Sequence, residues 1–220
     1  MTAAALERPA GLRAVSLDAA GTLLLPCEPV AQTYAAFAKR HGGRAPVDRI
    51  AAEFPRAMAE LLPLRAGDPH WRTYFNAVVA RTTGVAAPEL AAQLYDHFAQ
   101  ASAWRLADGA RECMEALTAA GLKVGVLSNW DVRLRTILDG LGVTPLLHAV
   151  LVSAEIGADK PDRRAFVAAC KGFDVAPNEL LHVGDSDDAD VAGARSAGCH
   201  AWKFGTDVPD FATLQAALVP

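Results

Sequence analysis

Short apolar runs recur along the chain. Each breaks off in small or polar residues and is followed by a stretch whose apolar positions have helical spacing. The runs are Arg13 to Asp18 (RAVSLD), Lys123 to Ser128 (KVGVLS), Ala149 to Ser153 (AVLVS), Leu180 to Gly184 (LLHVG) and His200 to Phe204 (HAWKF). The helical stretches are Asp108 to Ala120, Val132 to Leu141, Asp162 to Gly172 and Asp188 to Ala197. Strand and helix alternating in this way predict parallel strands joined by crossover helices, an α/β, doubly wound parallel sheet. Gly121, Gly142, Gly172 and Gly198 fall where these helices should stop, in the place a left-handed glycine takes.

The alternation is interrupted once. From about Cys27 to Trp104 no strand pattern is evident, only helical ones. Pro29 opens EPVAQTYAAFAKRHGG, which closes on a glycine pair. Asp48 to Leu62 follows, with Pro55 expected to break or kink it. Asp68-Pro69 reads as the cap and first residue of a third helix, and Pro88 to Gln100 forms the fourth. The expected organisation is therefore an α/β core made of residues 1–26 and 105–220, carrying an all-helical insertion over 27–104. No internal repeat or low-complexity linker is evident.

With 220 residues, 52% hydrophobic and 21% charged, the chain can bury a sizeable core and does not have the composition of a disordered segment. Its formal charge of −4, with basic residues dispersed rather than in blocks, argues against nucleic-acid binding. The insertion holds eight basic and seven acidic residues and the remainder thirteen and eighteen, an asymmetry that hints at an insertion facing an anion. No apolar run approaches the ~20 residues of a membrane helix. The start, MTAAALERPAG, lacks a basic region followed by an apolar one, so no secretory signal is expected. Cys27, Cys113, Cys170 and Cys199 are far apart in sequence, with no CxxC pair. Reduced, mostly buried thiols in a cytoplasmic protein are the expectation, rather than a disulfide framework or a zinc site.

Ligands of an open parallel sheet bind beyond the carboxyl ends of its strands, so the residues there carry the candidate chemistry. They are Asp18 with Ala19-Ala20-Gly21-Thr22, Ser128 with Asn129, Lys160 in ADKPD, and the run Gly184-Asp185-Ser186-Asp187-Asp188-Ala189-Asp190. Carboxylates, a hydroxyl, a lysine and glycine turns suit a divalent cation together with a phosphoryl group.

At these residues the chain resembles the haloacid dehalogenase superfamily, which is populated mainly by phosphatases. Its DxDGT motif is similar to Asp18-Ala-Ala-Gly21-Thr22. Its strand-ending Ser or Thr matches Ser128, its KPD lysine Lys160-Pro161-Asp162, and its GDSxxxD motif Gly184 to Asp190, followed by VAGARSAG. The helical insertion lies where that family places its cap. The resemblance implies that Asp18 is a nucleophile forming an aspartyl-phosphate, and that Lys160 offsets the negative charge gathered there. It implies that Gly21, Thr22, Ser128 and Asn129 receive the phosphoryl group, that Asp18, the Ala20 carbonyl and Asp185 surround Mg2+, and that Asp190 joins this metal site by holding a metal-bound water or else orients Lys160. The implied partner is a small phosphorylated molecule, bound by a monomer or homodimer, with neither nucleic acid nor membrane involved.

One position departs from the pattern. The family's phosphatases carry a second Asp two residues after the nucleophile, as general acid and base, and this chain has Ala20. The expected activity is thus a metal-dependent phosphatase lacking that group, its turnover low. A 2-haloacid dehalogenase-like hydrolase and a weakly catalytic or non-catalytic binding protein are the alternatives. A phosphonoacetaldehyde hydrolase would need a lysine in the insertion, and Lys39, its one lysine, reads as solvent-facing. Asp187 and Asp188 read as a solvated helix start. His182 reads as a strand residue directed away from the ligand, Trp104 and Trp202 as core, and Trp71 and Trp130 as outside candidates for substrate contact.

Overall fold

The apolar runs form the parallel sheet that the alternation predicts. The computed structural model describes residues 6–219; residues 1–5, the first part of the start that bears on a secretory signal, and residue 220 lie outside the described residues. The strands are β1 (Ala14–Leu17), β2 (Leu24–Pro26), β3 (Trp104–Leu106), β4 (Lys123–Ser128), β5 (Ala149–Val152), β6 (Leu180–Gly184) and β7 (His200–Lys203). The helices are α1 (Val30–Arg40), α2 (Val47–Glu60), α3 (Arg72–Thr83), α4 (Pro88–His97), α5 (Ala110–Ala119), α6 (Arg133–Gly140), α7 (Ser153–Ile156), α8 (Arg163–Phe173), α9 (Gly193–Ser196) and α10 (Phe211–Leu218). The chain divides into two compact units: residues 1–25, 106–130 and 141–220, and residues 26–105 with 131–140.

In the first unit five parallel strands lie in the order β5-β4-β1-β6-β7. All four residues of β1 are buried, as befits a central strand covered on both faces. From β1 the chain steps outward through β4 and β5, then returns to build β6 and β7 on the other side. This reversal opens a crevice at the carboxyl ends of β1, β4 and β6. Ala14, Leu127 and Leu180 pack with Phe166, Ala169, Phe173 and Ala194 of α8 and α9 into one buried cluster. Gly172 does not terminate a helix as expected. It lies inside α8, where an added Cβ would stand 3.2 Å from Leu151, and Asp174 (φ 52°) takes the left-handed stop instead. A side chain at Gly172 would have to push the Leu151 methyl groups aside by a few tenths of an ångström. Gly121, Gly142 and Gly198 do have positive φ.

The second unit is built from α1 to α4 and α6 around Tyr34, whose ring meets Phe54 edge-on at 5.3 Å and lies among Ile50, Val79, Leu90, Leu94 and Phe98. Two sequence expectations fail here. Helix α2 runs through Pro55 unbroken, and the residue whose carbonyl loses its partner, Ala51, is exposed, so water can serve it. Helix α3 starts at Arg72 rather than Pro69. Asp68 still caps it from upstream, accepting from the amides of His70 (2.9 Å) and Arg72 (2.6 Å), with Trp71 left-handed (φ 49°) between them. The segment 131–140 was expected in the α/β core but clusters with this unit. Its Arg133 is held by Asp131, donates to the Tyr95 carbonyl (3.0 Å) and lies 3.6 Å over the Tyr95 ring, and its Val132 amide reaches the Pro69 carbonyl. Strands β2 and β3, which flank the helical insertion, pair with each other as a separate two-stranded sheet.

Cys113, Cys170 and Cys199 are buried, whereas Cys27 is exposed. Burial pushes the Cys113 thiol up to about 12, and the sulfurs of Cys170 and Cys199, distant in sequence, stand 3.8 Å apart. An alkylating reagent at neutral pH will therefore modify Cys27 in the folded protein and the other three only after denaturant is added. Native labelling of Cys113 as fast as Cys27, read by peptide mass spectrometry, would contradict this packing.

Candidate active site

Asp18 follows β1 directly, and its amide donates to the Val183 carbonyl of β6 (2.9 Å), so the strand pairing continues up to the carboxylate. The chain then turns tightly. Leu24 donates to the Ala19 carbonyl (2.7 Å) and Gly21 to that of Leu24 (3.1 Å), which leaves the Ala20 carbonyl outside the turn's hydrogen bonds. Gly21 is required twice over: its φ is +87°, and a Cβ there would stand 2.6 Å from an Asp185 oxygen.

Lys160 reaches Asp18 from the segment before α8. Asn129 braces that segment with its side-chain amide, accepting from the Lys160 amide (2.7 Å) and donating to the Lys160 carbonyl (2.8 Å). Two residues on, Asp162 caps α8 through the Arg164 amide. The Lys160 ammonium is buried, 4% exposed, and donates to Asp18 Oδ1 (2.7 Å), Asp190 Oδ1 (2.6 Å) and the Leu127 carbonyl (2.9 Å). Burial alone would lower its pKa, but the charges of Asp18 and Asp190 prevail and raise it, so it is a fixed cation. Ser128 donates its hydroxyl to the same Asp18 oxygen (3.1 Å).

Asp190 owes its position to a wide turn. Residues 187–192 wind as a π-helix before α9, with Ser186 as cap, a form common where a side chain must be re-aimed. Its Oδ2 accepts from the Ser186 amide (2.9 Å), while Oδ1 meets both Lys160 and His182 Nε2 (2.9 Å). Burial opposes ionisation of Asp190, but the hydrogen bond from His182 and the Lys160 charge hold its carboxyl far below the usual range. His182 is not directed away from this cluster, as the strand alternation suggested. It is registered opposite Ser16, which lies two residues before Asp18 on the same face of β1, and its Nδ1 is 2.8 Å from the Ser16 hydroxyl. Burial, then the Lys160 charge, push the His182 imidazole below its ordinary range. Ser16 and His182 are the members of this network that the motifs do not reveal, although their even spacing from Asp18 and Gly184 could have found them.

Carboxylate oxygens of Asp18, Asp185 and Asp190 lie within 4.8 Å of one another. Asp185 is pushed up, first by burial and then by the charges of Asp18 and Asp190. Among the described residues no ion pair reaches Asp185, whereas both Asp190 oxygens accept hydrogen bonds. An all-oxygen donor set of three clustered carboxylates fits a hard divalent cation such as Mg2+. Asp190 belongs to the same acidic group, and its carboxylate also meets Lys160, His182 and the Ser186 amide. Beside Asp18 the Ala20 methyl offers no proton to give or take.

The other sequence candidates are placed as follows. Thr22 is fully buried with its hydroxyl unpartnered, so it shapes the turn and is closed to a ligand. Asp187 and Asp188 are exposed, and Asp187 pairs with Lys203. Trp104 and Trp202 are half-buried; Trp130 and Trp71 are buried, and Arg65 covers the Trp71 ring at 3.8 Å. Lys39 is exposed. At Gly184 an added Cβ would run into the Asp190 carboxyl group. Gly184→Ala is accordingly expected to displace Asp190 from Lys160 and destabilise the fold by ~1–3 kcal/mol, seen as a lower urea midpoint. An unchanged midpoint would contradict the close approach.

Comparison with known proteins agrees with this geometry. The family model for haloacid dehalogenase-like hydrolases matches residues 12–198. The chain is 33% identical over 205 residues to the haloacid dehalogenase-like hydrolase domain-containing protein 3 of Bos taurus, covering 87% of this chain and 81% of that protein. It is 33% identical over 161 residues to a phosphoserine phosphatase of Thermus thermophilus, covering 72% of this chain and 64% of that one. In fold it is similar to the L-2-haloacid dehalogenase of Xanthobacter autotrophicus with chloropropionic acid covalently bound, with a TM-score of 0.70 and 21% identity over 95% of this chain and 85% of that one. A carboxylate at the end of the central strand, a lysine buried against it and acidic residues beside it, carried on this fold and matched across most of its length, place the chain in the haloacid dehalogenase-like hydrolase family.

Proposed function

We propose that this hydrolase is a Mg2+-dependent phosphatase acting on a small phosphorylated molecule through an aspartyl-phosphate at Asp18. The observation that carries the reading is the asymmetry of the Asp18 carboxylate. Oδ1 is held by Lys160 and Ser128, while among the described residues no hydrogen bond reaches Oδ2, and carboxylate oxygens of Asp18 and Asp185 lie within 4.8 Å of one another. In this reading Oδ2 attacks phosphorus, the phosphorus–leaving-oxygen bond breaks, and water later cleaves the acyl phosphate to regenerate the carboxylate. The fixed positive charge of Lys160 beside Asp18 stabilises the added negative charge on the phosphoryl oxygens. Mg2+ held by Asp18, Asp185 and the Ala20 carbonyl supplies charge neutralisation for the phosphoryl group. Free thiols, with no disulfide among the described cysteines, suit a cytoplasmic setting.

Ala20 narrows the substrate class. With no acid to protonate the leaving oxygen, esters whose leaving group departs as an anion, such as acyl and aryl phosphates, suit the site best. The same residue favours a second reading, a 2-haloacid dehalogenase, in which Asp18 would displace halide from carbon without needing an acid. The acidic surroundings of Asp18, ready for a cation, weigh toward the phosphatase, as does the similarity to a phosphoserine phosphatase.

Phosphate release from acetyl phosphate and p-nitrophenyl phosphate is expected with Mg2+, to disappear with EDTA, and to be absent in Asp18→Asn of unchanged fold. No release in Mg2+, together with chloride release from 2-chloropropionate, would replace this reading by the dehalogenase. Ala20→Asp is expected to raise turnover of p-nitrophenyl phosphate by roughly 10²-fold, the low end of what a positioned general acid contributes. A folded Ala20→Asp with no gain would show that more than the acid is missing.

A further inference from the structure

His182 is a polar ring in a place where burial calls for an apolar one: it is fully buried and meets the Phe166 ring edge-on at 5.5 Å. Its tautomer follows from counting donors. The Lys160 ammonium has three hydrogens, and Asp18 Oδ1, Asp190 Oδ1 and the Leu127 carbonyl take all three at 2.7, 2.6 and 2.9 Å. None is left for His182 Nε2, 3.4 Å away. The 2.9 Å contact between Nε2 and Asp190 Oδ1 must then be a donation from the ring, because an ionised carboxylate only accepts. In the neutral imidazole Nδ1 is therefore the acceptor, and the Ser16 hydroxyl, 2.8 Å away, donates to it.

We propose that Ser16 and His182 are a positioning pair: Ser16 fixes the Nε2–H tautomer, His182 aims the Asp190 carboxylate, and Asp190 holds Lys160 against Oδ1 of Asp18. The outcome is that Oδ2 is the oxygen presented to the substrate. Neither residue touches the reacting atoms. Asp190 receives two further donors, Lys160 and the Ser186 amide, so loss of His182 loosens its aim rather than releasing it. The kinetic part of this inference rests on the phosphatase reading above, and the tautomer does not.

The test separates the two. Amide nitrogen of Gln can occupy the place of imidazole Nε2, and that of Asn the place of Nδ1. His182→Gln therefore keeps the donation to Asp190 and His182→Asn loses it. With p-nitrophenyl phosphate and Mg2+, kcat of His182→Asn is expected to fall roughly tenfold or more below that of His182→Gln, the scale on which outlying hydrogen-bond partners of catalytic groups act. KM and melting temperature should match between the two variants. Ser16→Ala, a smaller change that guards against misfolding of both, should lower kcat in the same direction by less, at unchanged KM. Equal kcat in the Gln and Asn variants at equal stability would make His182 a core residue only and overturn the inference. Nitrogen-15 spectra of wild-type protein should show the His182 proton on Nε2 with Nδ1 unprotonated; the opposite tautomer overturns it regardless of activity. If wild-type protein hydrolyses no phosphate ester, the phosphatase reading fails, and the spectrum still decides the network.

Discussion

A lysine ammonium cannot sit in a protein interior unless carboxylates and carbonyls replace the water it leaves, and much of the first unit is arranged to meet that demand at Lys160. Its three hydrogens are all spent, two on Asp18 and Asp190 and one on the Leu127 carbonyl. Removing one partner of such a buried pair typically costs ~3–5 kcal/mol, because the remaining charge is left uncompensated. The constraint therefore propagates. Asn129 braces the Lys160 backbone, the π-turn brings Asp190 over Gly184, and Gly184 can carry no side chain because Asp190 occupies the space. Burial disfavours the charge on Lys160, yet its neighbours raise its pKa, and the same exchange holds Asp190 ionised.

The same constraint distributes chemical roles. Oδ1 of Asp18 is occupied by Lys160 and Ser128, so the carboxylate has one engaged oxygen and one available oxygen. Asp185 has a raised pKa and no cationic side chain of its own, a local excess of negative charge that a cation would relieve. Direct ion pairs at Asp190, and none at Asp185 among the described residues, distinguish two acids that look equivalent in the GDSDDAD run. The methyl of Ala20 adds a third contrast: charged groups cluster around Asp18, and the side chain two residues after it can neither give nor take a proton.

Parts of this were legible in the sequence for definite reasons. Asp18, Ser128 and Asp185 could be found because a parallel strand must end where its apolar run ends, and ligands collect there. His182 was misread because alternation gives a side chain's face only relative to its own strand. Its register against Ser16, set by β1 pairing with β6, decided which face that was. Thr22 belongs to the motif by position, yet the turn that Gly21 allows rotates it out of reach of solvent. Gly172 stands where the sequence places a helix stop, but α8 runs one residue further and Asp174 takes the left-handed position.

The sequence by itself determined the parallel α/β sheet, the helical interruption and the order of the chemical groups along the chain. Those follow from local periodicity and from the places where apolar runs stop, and both are properties of neighbouring residues. Only the tertiary structure decided that Cys170 and Cys199 meet, that residues 131–140 belong with the helical unit, and that Asp190 serves Lys160 and His182 rather than standing beside Asp185 as an equal. Each of these depends on residues far apart in sequence sharing one buried volume, where packing and the cost of unpaired charge choose the partners, and no local pattern encodes that choice.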